Sequence, residues 1–252
     1  AEAFSGQLLL CHQAQIESAD ALIGEVVTAL EAAAQAQPTP KHWWDTTTLI
    51  IMGDNGTSAQ LDENCGVNVN FYWGDGRHKA TVWEGGVRAP LIFAGYGVTV
   101  DGVCSVPVMA PDIYPTVNAL MTVLPDPTVT VNGVSLMPLL TGGTLTRAAT
   151  TGPGVQIYGP YIYTEMFSKN FDLAVYPSVW HLPTHTVYHR AATDGMYKVI
   201  KEYFKGPTCW ALTTRYLRIF DWVGAVPGSQ IEEEEIPFQP THQAIEAMMG
   251  SI

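Results

Sequence analysis

Thr48-Leu49-Ile50-Ile51-Met52 runs straight into Gly53-Asp54-Asn55-Gly56, and after a long polar interval the chain resumes with Lys79-Ala80-Thr81-Val82-Trp83-Glu84-Gly85-Gly86-Val87-Arg88-Ala89-Pro90. Residues 47–52 form a short apolar and β-branched run. Such a run, following a helical segment, predicts a parallel strand covered on both faces. The strand delivers a carboxylate and an amide carbonyl to its own end, where open α/β sheets bind ligands. Asp54 and Asn55 are hard oxygen donors of the kind that hold Ca2+ or Mg2+. The same residues also make a plain strand-capping turn, and spacing alone favours that turn. Lys79, next to His78, offers a compact point charge to an anionic oxygen or simply a surface cation.

Upstream, Ile16, Ala19, Ile23, Val26, Val27, Leu30 and Ala34 recur at helical spacing over residues 12–35, and Pro38 and Pro40 stop the helix. Downstream, Thr57–His78 is Gly- and Asn-rich with Phe71, Tyr72 and Trp73 embedded, a long loop of the kind that carries function. Val87–Phe93 reads as a further strand bent at Pro90. A helix is expected within Val106–Leu124, with Asp112 in its first turn and Pro125 and Pro127 beyond its end. From Gly152 the pattern changes to strands and turns at Gln156–Phe167, Val187–Thr193, Met196–Phe204 and Tyr216–Trp222. A small antiparallel sheet accounts for them. Glu232–Glu235 reads as a solvated acidic loop, and Thr241–Met249 as a closing helix. The organisation expected is residues 1–151 as an α/β portion and residues 152–252 as a small antiparallel subdomain.

Composition narrows the function classes. The 252 residues are 47% hydrophobic and 14% charged, which describes a folded chain with a sizeable core. A net charge of -12 argues against a nucleic-acid partner, which needs surplus Lys and Arg on one face. No apolar run is long enough to predict a membrane span. Cys11, Cys65, Cys104 and Cys209 match no metal-ligand spacing and permit disulfides without requiring them. His181 and His185 are four apart, but Pro183 breaks the helix a zinc pair there needs. Asn55-Gly56-Thr57 fits an N-glycosylation acceptor, a reading incompatible with a ligating Asn55. Ala1–Gly6 has neither Met nor a basic-then-apolar leader, so the expectation is upstream removal or a fragment.

The ordered set of Thr48–Ile51 with Asp54-Asn55-Gly56, then Lys79, Thr81, Trp83-Glu84-Gly85-Gly86-Val87-Arg88 and Pro90, resembles the second half of the sulfatase family in the alkaline phosphatase superfamily. Gln13–Leu30, Asp112–Val117, Gly133–Leu140 and Asp194–Ile200 resemble further segments of that family, so the similarity runs from about residue 10 to about residue 222. It implies a partial alkaline-phosphatase-like α/β sandwich followed by a smaller antiparallel sheet with a helix. Asp54 and Asn55 would hold one divalent metal, usually Ca2+, with Mg2+ also compatible. Lys79 would be the catalytic cation on a sulfate oxygen, with His78 beside it at the substrate, and Arg88 and Glu84 in support.

The family's nucleophile is a formylglycine made from Cys or Ser in C/S-x-P-x-R. No cysteine or serine of this chain begins that motif: Cys65 leads into Gly66-Val67 and Cys104 into Ser105-Val106-Pro107-Val108. The resemblance therefore implies a sulfuric ester hydrolase site completed by an N-terminal segment or companion chain carrying formylglycine. Its substrate would be a sulfated small molecule or glycan, lined here by Asn68–Trp73. The alternatives are a phosphodiesterase or phosphonate hydrolase on the same scaffold, and a non-catalytic sulfatase-like binding or structural subunit. Family members are secreted, periplasmic or lysosomal. Without upstream strands, an exposed sheet edge and apolar surface are expected.

Overall fold

The computed structural model describes residues 2–56, 79, 81–124, 126, 128–147, 150–152, 155–157, 159, 161–167, 187–205, 210–221 and 231–250. Helices and sheets mix, compatible with the expected α/β class, but every strand pair among the described residues is antiparallel. Among those residues, no helix is long and apolar enough to cross a membrane.

The chain opens with α1 (Glu2–Gln35), longer than the periodicity predicts. Its expected buried stripe is not buried: Ile16 and Val26 are exposed, at 57% and 51%, and Ile23, Val27, Leu30 and Ala34 are half-buried. The helix is anchored instead by a residue of its polar side. Glu31 accepts the Trp43 backbone N–H at 3.0 Å, Gln35 Nε2 at 3.0 Å and His42 Nδ1 at 2.8 Å, tying α1 to the 3-10 turn Trp43–Asp45.

β1 (Thr48–Met52) forms where expected, yet it is not a doubly covered parallel strand. It pairs antiparallel with β2 (Leu91–Gly95), Thr48 opposite Gly95 and Met52 opposite Leu91. The reason lies in how the chain returns. The returning segment folds into a one-turn helix, α2 (Glu84–Val87), beside Gly53–Gly56, so the next strand leaves in the opposite direction. Val87–Phe93 is accordingly not one strand. Gly86 and Val87 N–H donate to Trp83 O, Arg88 N–H donates to Glu84 O, and β2 begins only after Pro90. Met52 and Ile92 remain half exposed on this ladder.

The expected helix after residue 106 is a 3-10 turn, Ala110–Asp112, leading into α3 (Ile113–Leu120). Its organiser is Asp112, fully buried, which accepts the backbone N–H of Met109 at 2.9 Å and of Val134 at 2.9 Å and pairs with the buried Arg147. Thr116 Oγ1 accepts the Leu136 N–H at 2.8 Å, so α3 holds the segment that becomes α4 (Met137–Leu140).

Gln156–Phe167 divides in two: β3 (Thr150–Gly152) and β4 (Val155–Ile157) make a small hairpin, and β5 (Ile162–Phe167) starts a separate sheet. That sheet has five strands in order, with β6 (Val187–Thr193), β7 (Tyr197–Lys205), β8 (Trp210–Asp221) and β9 (Ile231–Glu235). The hairpin between β6 and β7 is set by Asp194, whose carboxylate accepts the N–H of Met196 at 2.8 Å and Tyr197 at 2.7 Å, and by Gly195 at φ +95. The acidic run Glu232–Glu235 is thus a strand and not a loop. It pairs at the edge of the sheet, where only one side of its backbone needs a partner, and the register sets Glu234 opposite Arg218.

Both faces of this sheet are covered. On one, Ala191, Ile200 and Leu217 pack with Val82 and Trp83 from the segment leading into α2. On the other, Ala192 and Val199 pack with Ile245, Met248 and Met249 of α5 (Pro240–Gly250), the expected closing helix. His242 of α5 is buried, with Nε2 3.1 Å from Leu217 O. The consequence for function is positional: the sheet is the floor on which Val82, Trp83 and Glu84 rest.

Candidate functional site

Asp54 and Asn55 follow β1 at a bend, Asp54 exposed and Asn55 half buried. Two backbone hydrogen bonds bracket them. Gly53 N–H donates to Pro90 O at 2.9 Å, and Gly56 N–H donates to Gly86 O at 2.9 Å. The bracket is tight: a Cβ on Gly56 would stand 2.0 Å from Gly85 O, so only glycine allows this approach. The two adjacent oxygen-bearing side chains therefore project from a backbone loop fixed at both ends.

Lys79 is exposed in a turn just before Thr81. Arg88 is exposed at the end of α2. Glu84, the first residue of α2, turns toward the five-stranded sheet, where its Oε1 lies 2.8 Å from Lys198 Nζ. His78, the rest of the 57–78 loop with Asn68–Trp73, Cys65, Cys209, His181 and His185 lie outside the described residues. Cys11 and Cys104 are exposed free thiols.

What the structure brings together at this point is backbone: the end of β1, α2 and the start of β2. Among the described residues, no three His, Cys, Asp or Glu side chains converge as a metal-holding group. The donor chemistry of Asp54 and Asn55 nonetheless fits a hard cation in kind, and two side-chain oxygens make up part of the six to eight that such ions take.

Sequence reasoning missed a row of charge beneath the site. On the sheet face carrying Ala191 and Ile200, β7 also presents Lys198 and Glu202, exposed by only 1% and 6%. Glu202 Oε2 accepts from Arg215 Nε at 2.8 Å and stands opposite His189 in the β6–β7 register. Burial drives the His189 pKa below its ordinary value; Glu202 opposes that shift and Arg215 adds to it. The signal was available in the period-2 pattern of β7, where Lys198 and Glu202 share a side with Ile200. Charges in step with a buried apolar residue are inward charges.

A separate open hollow lies between α1 and Trp43–Asp45, lined by Val27, Glu31, His42, Trp43 and Trp44. It is remote in the chain from Asp54 and Asn55 and lacks their donor set.

No family model matches the chain. One solved structure similar to it is a candidate sulfatase from Bacteroides thetaiotaomicron, at 17% identity and a TM-score of 0.41, over 84% of this chain and 36% of that one. At that level the similarity carries no argument. The chain spans about a third of the length of that protein.

Proposed function

We propose that this chain contributes the metal-binding and sulfate-binding part of a sulfatase, whose nucleophile is carried by residues other than these. The observation that bears most weight is the bracket: Asp54 and Asn55 sit between two backbone hydrogen bonds to the Trp83–Pro90 segment. A plain turn needs no second segment closed upon it. Here the loop is clamped by the very stretch, Lys79 to Pro90, that the sequence pairs with it.

In this reading Asp54 and Asn55 hold one divalent cation, Ca2+ by preference, and Lys79 meets a sulfate oxygen, with His78 beside it. The bound cation supplies charge neutralisation at the sulfate oxygens. Lys79 orients the sulfate by Coulomb attraction at an exposed position, where ionic strength screens it. Glu84 opens α2, Arg88 follows it, and the two keep the returning segment in place. Lacking C/S-x-P-x-R, the chain alone binds and does not turn over.

Incubating the purified chain with p-nitrophenyl sulfate tests this. The expected result is no phenol release, together with Ca2+-dependent binding of the ester that is lost in Lys79→Ala. Hydrolysis by the chain alone, or binding indifferent to both Ca2+ and Lys79, overturns the proposal.

A further inference from the structure

Lys198 lies far from Asp54 in sequence, yet a run of contacts leads from it to the loop that carries Asp54. Its ammonium is 2.8 Å from Glu84 Oε1, with the lysine side chain 1% exposed and the glutamate 13%. Glu84 opens α2, whose turn is closed by Arg88 N–H on Glu84 O at 2.8 Å and by Gly86 N–H on Trp83 O at 2.9 Å. Gly86 O in turn receives the Gly56 N–H at 2.9 Å, one arm of the bracket around Asp54 and Asn55. The segment just before the turn, Val82 and Trp83, is buried against the same sheet. Within α2 the buried residues are Gly85 and Gly86, which carry no side chain to grip the sheet, and Val87 is exposed.

Trp83 and Val82 pack on the sheet through apolar contact, which is non-directional. An ion pair of low exposure is directional, and removing one partner strands the other charge in a buried place. We infer that Lys198 is a positioning residue for the Asp54-Asn55 loop, acting through Glu84 and α2. The inference rests on the proposed function only for what the loop binds; its structural content stands apart from that.

Hydrogen exchange read by mass spectrometry on peptides covering 53–56 separates the two. In Lys198→Met, without added metal, exchange at 53–56 is expected to quicken on the order of ten-fold while β6 and β7 keep wild-type protection. Because a single charge left on a buried pair also costs stability, the double variant Glu84→Gln with Lys198→Met is measured as well. It is expected to regain most of the thermal midpoint without regaining protection at 53–56. Wild-type exchange at 53–56 in either folded variant overturns the inference, as does exchange that merely follows the thermal midpoint across the set. Adding CaCl2 to the wild-type chain is the separate arm: if it leaves 53–56 unchanged, the metal reading fails while the role of Lys198 is judged by the metal-free comparison.

Discussion

His189 shows how a residue reads its surroundings. Burial disfavours its imidazolium, so its folded pKa lies below the unfolded value near 6.5. The unfolded chain then binds more protons in that window, and stability is fully present above pH 6.5 and falls as pH drops toward the folded pKa. A denaturation series across this range should show the loss, and Glu202→Gln should push the His189 midpoint lower still, measured by NMR titration. A midpoint that rises in that variant would mean Glu202 is not the neighbour holding the imidazolium up. Asp112 and Arg147 make a different prediction. Both are buried, and Asp112 also serves two backbone N–H groups, so Arg147→Met should cost about 3–5 kcal/mol in equilibrium unfolding. A loss below about 1 kcal/mol would place the pair with ordinary surface bridges.

Among the elements, the β1 end and α2 depend on their glycines. Gly56→Ala places a methyl against the Gly85 carbonyl, so the bracket must open; an overpacking cost of about 1–3 kcal/mol is expected, with faster exchange at 53–56. Ile245→Ala on α5 removes a fully buried side chain from the far face of the sheet and should cost about 2–5 kcal/mol without touching that exchange. The contrast separates the two faces. Legibility in the sequence followed the same division. α1, β1, β6, β7 and α5 were readable because periodicity and turn residues such as Asp194 and Gly195 act locally. The antiparallel course of β1 was not, since it depends on α2 folding back through contacts some thirty residues away. The acidic strand β9 was missed because its charges argue for solvent, while its backbone pairing to β8 comes from tertiary context. The place of Asp54 and Asn55 at the end of β1 was legible from the apolar run before them, whereas the burial of Lys198 needed the sheet face to be known.

For the molecule as a whole, apolar surface is unevenly covered. The five-stranded sheet is packed on both faces, but Ile16, Leu22 and Val26 on α1 and Met52 and Ile92 on the β1–β2 ladder are half exposed or more. Exposed apolar surface beside strand edges favours association. The purified chain is expected to elute with a mass above 27.4 kDa in size-exclusion chromatography with light scattering; a stable monomer would show that these surfaces tolerate water. The central claim concerns the bracketed loop and is best tested by the metal itself. Hydrogen exchange at residues 53–56 is compared with and without ~10 mM CaCl2, a concentration suited to a site with part of its shell. The account predicts a slowing confined to this loop and abolished in Asp54→Ala with Asn55→Ala; equal exchange with and without Ca2+ in the wild-type chain would contradict it.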